Sequence, residues 1–208
     1  MTDASTEWSE ALAVLSNCLR HPDPELREAL TREPETVTAA LSRVDVDADA
    51  PPSVGDRGLT EDYEALFGAF LTPFAPPAAS PYGEWYGDRS GLMRGPAATA
   101  MERRFEALDA DVPDAYPADH VSLQLEYASL LAEAGEWDQL ETFVESELDW
   151  VDAFAVLVEE AAADAPVHRW CVRQAVATVE ALREKLGVSG PADEAVETMV
   201  ERARSHAT

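Results

Sequence analysis

The chain has 208 residues, with 41 Asp and Glu against 15 Lys and Arg, so its formal net charge at pH 7 is −26. So acidic a surface repels the phosphates of nucleic acids and anionic membranes, which excludes both as partners. Disorder is excluded as well, because 46% of the residues are hydrophobic and can form a core. The length predicts a single domain over residues 1–208.

The basic residues and the cysteines indicate the environment of the protein. Lys185 is the sole lysine, and so few lysines among so many carboxylates are typical of a protein adapted to concentrated salt. Cys18 and Cys171 are too few for a secreted disulfide scaffold, and the acidic N-terminus does not resemble an export signal. We therefore expect a halophilic, cytoplasmic protein.

Helix signals begin at the N-terminus, whereas strand patterns are missing and Ile does not occur. The apolar spacing predicts a first helix over about residues 6–19. Asp23 as a cap and Pro24 as the first helical residue predict a second helix, and Pro34 starts a third. The Asp-, Pro- and Gly-rich residues 44–58 predict an exposed, flexible linker.

The next helix is predicted to start at Thr60 as its cap. It places Tyr63, Leu66, Phe67 and Phe70 on one stripe that either joins the core or lines a groove. Residues 65–83 are uncharged and long enough to raise the question of a membrane span. Four prolines within that segment would break a helix in lipid, so we expect no stable membrane insertion.

The second half of the sequence predicts six more helices. Their expected starts and ends are Pro96 to Leu108, Asp119 to Ala134, helices after Trp137 and Trp150, Pro166 to Leu186, and Pro191 to Arg204. Gly135 and Gly187 are predicted to end two of them. The result is an all-α, compact irregular bundle of about ten helices, with a solenoid of helical pairs as the alternative.

Known chemical signatures are missing from the sequence. It contains no glycine-rich phosphate loop, HExxH helix, calcium loop or GxSxG turn, so we expect no cofactor and no metal. His168 and Cys171 are three residues apart, but two ligands do not make a zinc site. Asp119 and His120 combine a helix cap with a titratable ring, and catalysis would need a third partner.

Two segments carry a family resemblance. Pro117-Ala118-Asp119-His120 opens an apolar helix with Val121, Leu125, Glu126 and Tyr127. Upstream, Ser80-Pro81-Tyr82 precedes Trp85-Tyr86, Leu92, Gly95 and Pro96. Together they resemble the TorD/DmsD/NarJ-type cytoplasmic chaperones, which mature molybdenum-dependent oxidoreductases. The resemblance spans roughly residues 60–186.

The resemblance implies an all-helical chaperone and no enzymatic activity. The expected partner is the N-terminal, twin-arginine signal peptide or the apo form of a molybdopterin oxidoreductase catalytic subunit, held until its cofactor is inserted. The chaperone itself is expected to be a monomer or a homodimer. The resemblance implies peptide-binding residues at Asp119, His120, Trp85, Tyr86, Leu66, Phe67, Pro117, Gly95 and Glu126.

The chemistry of such a peptide fits these residue types. Carboxylates bind the guanidinium groups of a twin-arginine motif bidentately, and an aromatic groove accommodates the apolar stretch that follows. Asp109, Asp111 and Asp114 offer further carboxylates in the loop before Asp119. Two alternatives stay open: an enzyme that uses Asp119 and His120 as acid and base, and a structural helical adaptor.

Overall fold

The prediction of an all-helical chain is confirmed by a computed structural model, which describes residues 2–32, 34–54, 58–68, 75–84, 94–113 and 115–205. These residues contain ten helices and no β-strand. The helices are α1 (Thr2–Leu19), α2 (Pro24–Arg32), α3 (Pro34–Ser42), α4 (Leu59–Phe67), α5 (Pro96–Ala107), α6 (Val121–Ala134), α7 (Trp137–Glu147), α8 (Val151–Glu160), α9 (Pro166–Leu186) and α10 (Asp193–Ser205).

Several helix ends are where the sequence predicts them. The Leu26 N–H donates to the Asp23 carboxylate at 2.7 Å, so Asp23 caps α2. Gly135 and Gly187 end α6 and α9 with φ values of 71° and 74°, in the left-handed region that glycine adopts without steric cost. Local chemistry is sufficient to fix these three ends.

Two predicted caps are wrong. Gly58, rather than Thr60, precedes α4, so that Thr60 lies inside the first turn. Asp119 does not cap α6 either, because His120 is the N-cap and its side chain accepts the Ser122 N–H. The Asp119 carboxylate is bound to another part of the chain instead, as described below.

The centre of the bundle is the pair α1 and α6, which pack along each other, with α3 and α9 also against α1. α1 buries Trp8, Leu12, Leu15 and Leu19 at helical spacing, as its sequence predicts. α7 and α8 pack on α9, and α10 packs on α8. None of the helices in the described ranges has the length and apolarity needed to cross a bilayer.

The predicted linker is packed against the bundle over part of its length. Val44 and Val46 are buried, and the Trp170 indole N–H donates to the Asp49 carbonyl at 3.0 Å. The alternating valines therefore give this acidic segment an apolar side that the core covers. Residues 55–57 lie outside the described part of the chain.

Candidate functional site

The site begins with a short loop held against the start of α6. Residues 75–82 are all buried. The Ala79 N–H donates to the Asp119 carbonyl at 3.1 Å, and the Val121 N–H donates to the Pro77 carbonyl at 2.9 Å. The loop thus pairs with residues 119–121 like a minimal antiparallel ladder, with a single bridge between Ala78 and His120.

The Asp119 carboxylate connects this loop to α5. Its Oδ2 accepts the backbone N–H of Ser80 at 2.6 Å and the Ser80 hydroxyl at 2.5 Å. The Ser80 oxygen in turn accepts the Gly95 N–H at 2.8 Å, at the N-cap of α5. Asp119 is fully buried, and its Oδ1 has no hydrogen-bond partner among the described residues. One carboxylate therefore fixes two distant segments relative to α6.

His120 is bound on both ring nitrogens. Its Nδ1 accepts the Ser122 N–H at 3.2 Å and lies 2.8 Å from the Ser122 hydroxyl oxygen. Since Nδ1 is an acceptor, the proton of the neutral ring is on Nε2, which donates to the Tyr63 oxygen at 3.2 Å. His120 thereby joins the start of α6 to α4.

Burial sets the protonation of both residues. It raises the pKa of Asp119 above its usual value, although the Ser80 hydrogen bonds lower that pKa and the nearby charge of Glu102 raises it further. Burial lowers the pKa of His120 to about 3. A ring that stays neutral over the physiological range is poorly suited to acid–base catalysis near pH 7, and it serves well as a fixed hydrogen-bonding group.

An aromatic cluster extends the site from His120 to the surface. The Tyr63 ring lies 4.9 Å from Phe67, 5.5 Å from His168 and 5.2 Å from the exposed His21. Tyr116 lies 4.6 Å from the His120 ring, and its hydroxyl oxygen accepts the His21 N–H at 2.7 Å. Rigid ring packing therefore supports the buried side of the site.

The structure brings together some of the residues that the resemblance implies. Asp119 reaches Gly95 through Ser80, and His120 reaches Phe67 through Tyr63. The Pro117 carbonyl accepts the His120 N–H at 3.0 Å and forms the turn before α6.

Some of the implied residues are buried in the core, and others are exposed or lie outside the described ranges. Leu66 is fully buried in the core and Phe67 nearly so, which resolves that part of the α4 stripe as core. Glu126 is exposed on α6. Five further residues that the sequence analysis singled out lie outside the described ranges: Phe70, Trp85, Tyr86, Leu92 and Asp114.

Sequence reasoning missed the contacts that hold the site. It assigned no role to Ser80, Ser122 or Tyr116, and it placed Tyr63 only in an apolar stripe. The Ser80 contact with Asp119 spans 39 positions, and no local spacing rule joins residues so far apart. The sole signal was that Ser80 and Asp119 both lie in the segments that carry the family resemblance.

An acidic group of residues lies near the site, since burial and, to a smaller extent, the charge of Glu102 raise the pKa of Asp119. Asp109 and Asp111, together with Glu102 and Glu106 of α5, line a cavity of about 510 Å³. No group of three or more His, Cys, Asp or Glu in the described ranges is arranged to hold a metal ion. The arrangement is an open acidic surface, which suits a cationic segment of a partner.

Comparison with known proteins gives one family. A family model described as the nitrate reductase delta subunit matches residues 3–163, which is more than half of the chain and includes the loop, Asp119 and His120. No curated protein matches the chain.

Proposed function

Since the chain belongs to the nitrate reductase delta subunit family, which consists of molybdoenzyme maturation chaperones, we propose that it binds the N-terminal segment of a molybdopterin oxidoreductase subunit. The family acts with molybdoenzyme subunits such as nitrate reductase. The chain holds the apo form of its client in the cytoplasm until the cofactor is inserted. The segment it recognises carries a twin-arginine motif or its remnant.

The observation that carries the proposal is the hydrogen-bonded network of Asp119, Ser80 and Gly95. It fixes both ends of the segment that contains Trp85 and Tyr86, since Ser80 precedes that segment and Gly95 follows it. Asp119 is fully buried, so its role in the proposal is to position this segment. Trp85 and Tyr86 supply the apolar contacts, and the exposed carboxylates around the site attract the arginines.

His120 has a positioning role like that of Asp119, but it acts on α4 rather than on the loop and α5. It holds the start of α6 to Tyr63 of α4, and Glu126 of α6 and the loop residues Asp109 and Asp111 offer exposed carboxylates. A binding site on rigid elements loses less conformational entropy when a flexible peptide binds. This fits a protein that must recognise a short extended segment.

The test is binding of a fluorescent peptide with the first 30 or so residues of a molybdopterin oxidoreductase from the same host, measured by anisotropy in the salt of that host. We expect Trp85→Ala to weaken binding at least about tenfold, as for an aromatic hot spot. Trp137→Ala is the matched control, because Trp137 contacts Lys185 on α9, away from the site.

Asp119→Asn, with melting curves beside the binding data, tests positioning. A loss of affinity in folded protein supports the proposal, whereas a loss in proportion to unfolded protein makes Asp119 only a structural residue. If Trp85→Ala and wild type bind every client peptide equally, the structural adaptor is favoured.

A further inference from the structure

The two cysteines of the sequence lie far apart along the chain and meet in the core of the bundle. Cys18 is in α1 and Cys171 is in α9, which packs against α1, and both thiols are free and buried. The Cys18 side chain is hydrogen-bonded to that of Cys171, and this contact together with burial raises the pKa of the Cys171 thiol. The two sulfur atoms therefore already have the proximity that a disulfide requires.

A second pair of side chains supports the same alignment of the two segments. His21 follows Cys18 by three residues, and His168 precedes Cys171 by three. The rings of both histidines pack edge-on against Tyr63, at 5.2 Å and 5.5 Å. The chain at the end of α1 thus runs in the opposite direction to α9, and the two cysteines face each other about one helical turn away from the two histidines.

A cavity connects one of the two thiols with the surface. It has a volume of about 360 Å³, lies between α1, α2 and α3, and includes Cys18 in its lining. Ala29 and Thr36 are exposed where they line it, whereas Leu26 and Leu30 are buried. Most of the lining is apolar, which favours a small apolar molecule over a charged one. Cys171 does not line this cavity, so a reagent that enters it meets Cys18 first.

We propose that Cys18 and Cys171 are a redox-sensitive pair, which an alkyl hydroperoxide that enters this cavity converts into a disulfide. The Cys18 sulfur attacks the terminal oxygen of the hydroperoxide, and the O–O bond breaks. The alcohol leaves with the Cys18 proton, and Cys18 becomes a sulfenic acid. A buried thiol with a raised pKa is a poor nucleophile towards a free oxidant, so Cys171 acts only in the next step.

The second step uses the contact between the two side chains. The Cys171 sulfur attacks the sulfur of the Cys18 sulfenic acid, the S–S bond forms and the S–O bond breaks. The hydroxyl group leaves as water with the Cys171 proton. Overall, the two thiols lose two electrons and the hydroperoxide accepts them. The proposal needs no client, so it stands or fails independently of the proposed function.

The disulfide would attach α1 to α9 and close a connection that contains α2 to α8. A covalent link across so long a segment stabilises a fold mainly by restricting the unfolded chain. Oxidation should therefore raise the melting temperature by about 5 °C or more. A reductant should reverse the increase.

The experiment treats the folded, full-length protein with tert-butyl hydroperoxide, blocks the remaining thiols with N-ethylmaleimide in urea, and measures the unreduced tryptic peptides by mass spectrometry. Because trypsin cleaves after Arg20, Arg169 and Arg173, we expect residues 1–20 and 170–173 to be recovered as one disulfide-linked species. Two blocked thiols after the treatment, or a disulfide that forms only when the oxidant is added in urea, would overturn the proposal.

Two variants separate the roles of the cysteines. In Cys171→Ser, Cys18 should still be oxidised and should stop at the sulfenic acid, which dimedone traps. In Cys18→Ser, Cys171 should remain a thiol. The reverse pattern, or equal trapping in both variants, would contradict the order of the two steps. Melting curves of the reduced proteins show whether each variant is folded, and if one is not, the peptide analysis of the wild type decides.

A third variant tests the route to Cys18. Ala29→Trp places an indole in the cavity from an exposed position and should slow disulfide formation several-fold. Ala39→Trp is the matched control, because Ala39 is exposed on α3 and does not line the cavity. Equal rates of oxidation in the two variants would overturn the cavity as the route of the oxidant.

Discussion

Ser80 shows how one small side chain organises the site. Its hydroxyl donates to Asp119 and accepts from Gly95, so a single oxygen joins the loop, α5 and α6. Ser80 is almost fully buried, and buried polar groups are costly when they lose a partner. The serine is therefore a structural residue of the site even though it offers no surface to a ligand.

Replacing Ser80 by Ala should destabilise the fold. The change removes one donor to the buried Asp119 carboxylate and leaves the Gly95 N–H without its acceptor, which predicts a loss of about 1–3 kcal/mol in the free energy of unfolding. Urea unfolding measures it. Ser42→Ala is the control, because the Ser42 hydroxyl is exposed and bonds the Thr38 carbonyl one turn back. Equal costs for both variants would contradict the role of Ser80.

His168 makes stability depend on pH. Burial, with a contribution from His21, lowers its pKa to about 4, whereas an unfolded histidine titrates near about 6.5. As the pH falls, the unfolded chain therefore binds the proton at a higher pH than the folded chain does. The contribution of the neutral His168 to the free energy of unfolding is complete above about pH 6.5 and is lost as the pH falls towards 4.

His168→Phe should flatten this dependence. Among the described residues Nδ1 of His168 has no hydrogen-bond partner, and the ring packs edge-on against Tyr63 and Phe67, so a phenyl ring fits chemically. Urea unfolding from pH 7 to pH 4.5 should show wild type losing up to about 1.4 kcal/mol per pH unit more than the variant. Parallel curves for the two proteins would refute this account.

At the scale of elements, α9 is attached to the α7–α8 junction through a buried guanidinium. Arg183 donates to Asp152 and to the Leu148 carbonyl, both at 2.8 Å. The two acceptors lie on different segments, so the planar fork of arginine bridges them in a way that the single ammonium of lysine does not reproduce. The position of α9 relative to α8 depends on this contact.

Arg183→Lys should therefore cost about 1–3 kcal/mol in unfolding free energy, because one buried acceptor loses its partner. Arg173→Lys is the matched control on the same helix. Arg173 is half exposed and pairs with Glu159 at 3.0 Å, and an exposed pair of this kind changes stability by less than about 1 kcal/mol. Denaturation of both variants in parallel measures the difference. If Arg183→Lys costs no more unfolding free energy than Arg173→Lys, only the charge of Arg183 matters.

Helix ends illustrate what the sequence predicts well. Asp23, Gly135 and Gly187 act within a few residues of their own helices, so local rules place them correctly. Asp119 also has the chemistry of a cap, yet Ser80 from a distant segment binds its carboxylate. Local rules fail where a tertiary contact offers the same side chain a stronger partner.

For the molecule as a whole, the net charge of −26 determines how stability depends on salt. Like charges repel most strongly in the compact state at low salt. Raising the ionic strength from 0.1 M to 1 M shortens the Debye length from about 10 Å to about 3 Å. We expect the melting temperature to rise with KCl, by about 2–4 °C for each kcal/mol gained.

Sucrose at the same osmolality is the control for this salt effect, since it leaves the charges unscreened. A melting temperature that rises equally in sucrose and KCl would show that general exclusion of solute, rather than screening, stabilises the fold.

The fold was more predictable than the site for a physical reason. Helical periodicity is a property of neighbouring residues, so the all-helical architecture follows from stripes such as that of α1. The site depends on contacts such as Tyr63 with His120, 57 positions apart, and on burial that no pattern near Asp119 reveals. The family resemblance pointed to Asp119 and His120, but it did not reveal that both are buried.

The arrangement around Ser80 has a consequence for how specificity can change. Glu84 is tied to α10 and Gly95 is tied to Ser80, so residues 85–93 connect two anchored points. Closing a connection of twice the length costs only about 0.6 kcal/mol more. The bundle should therefore tolerate the exchange of this segment between related chaperones, and the proposed function predicts that such an exchange changes the client preference.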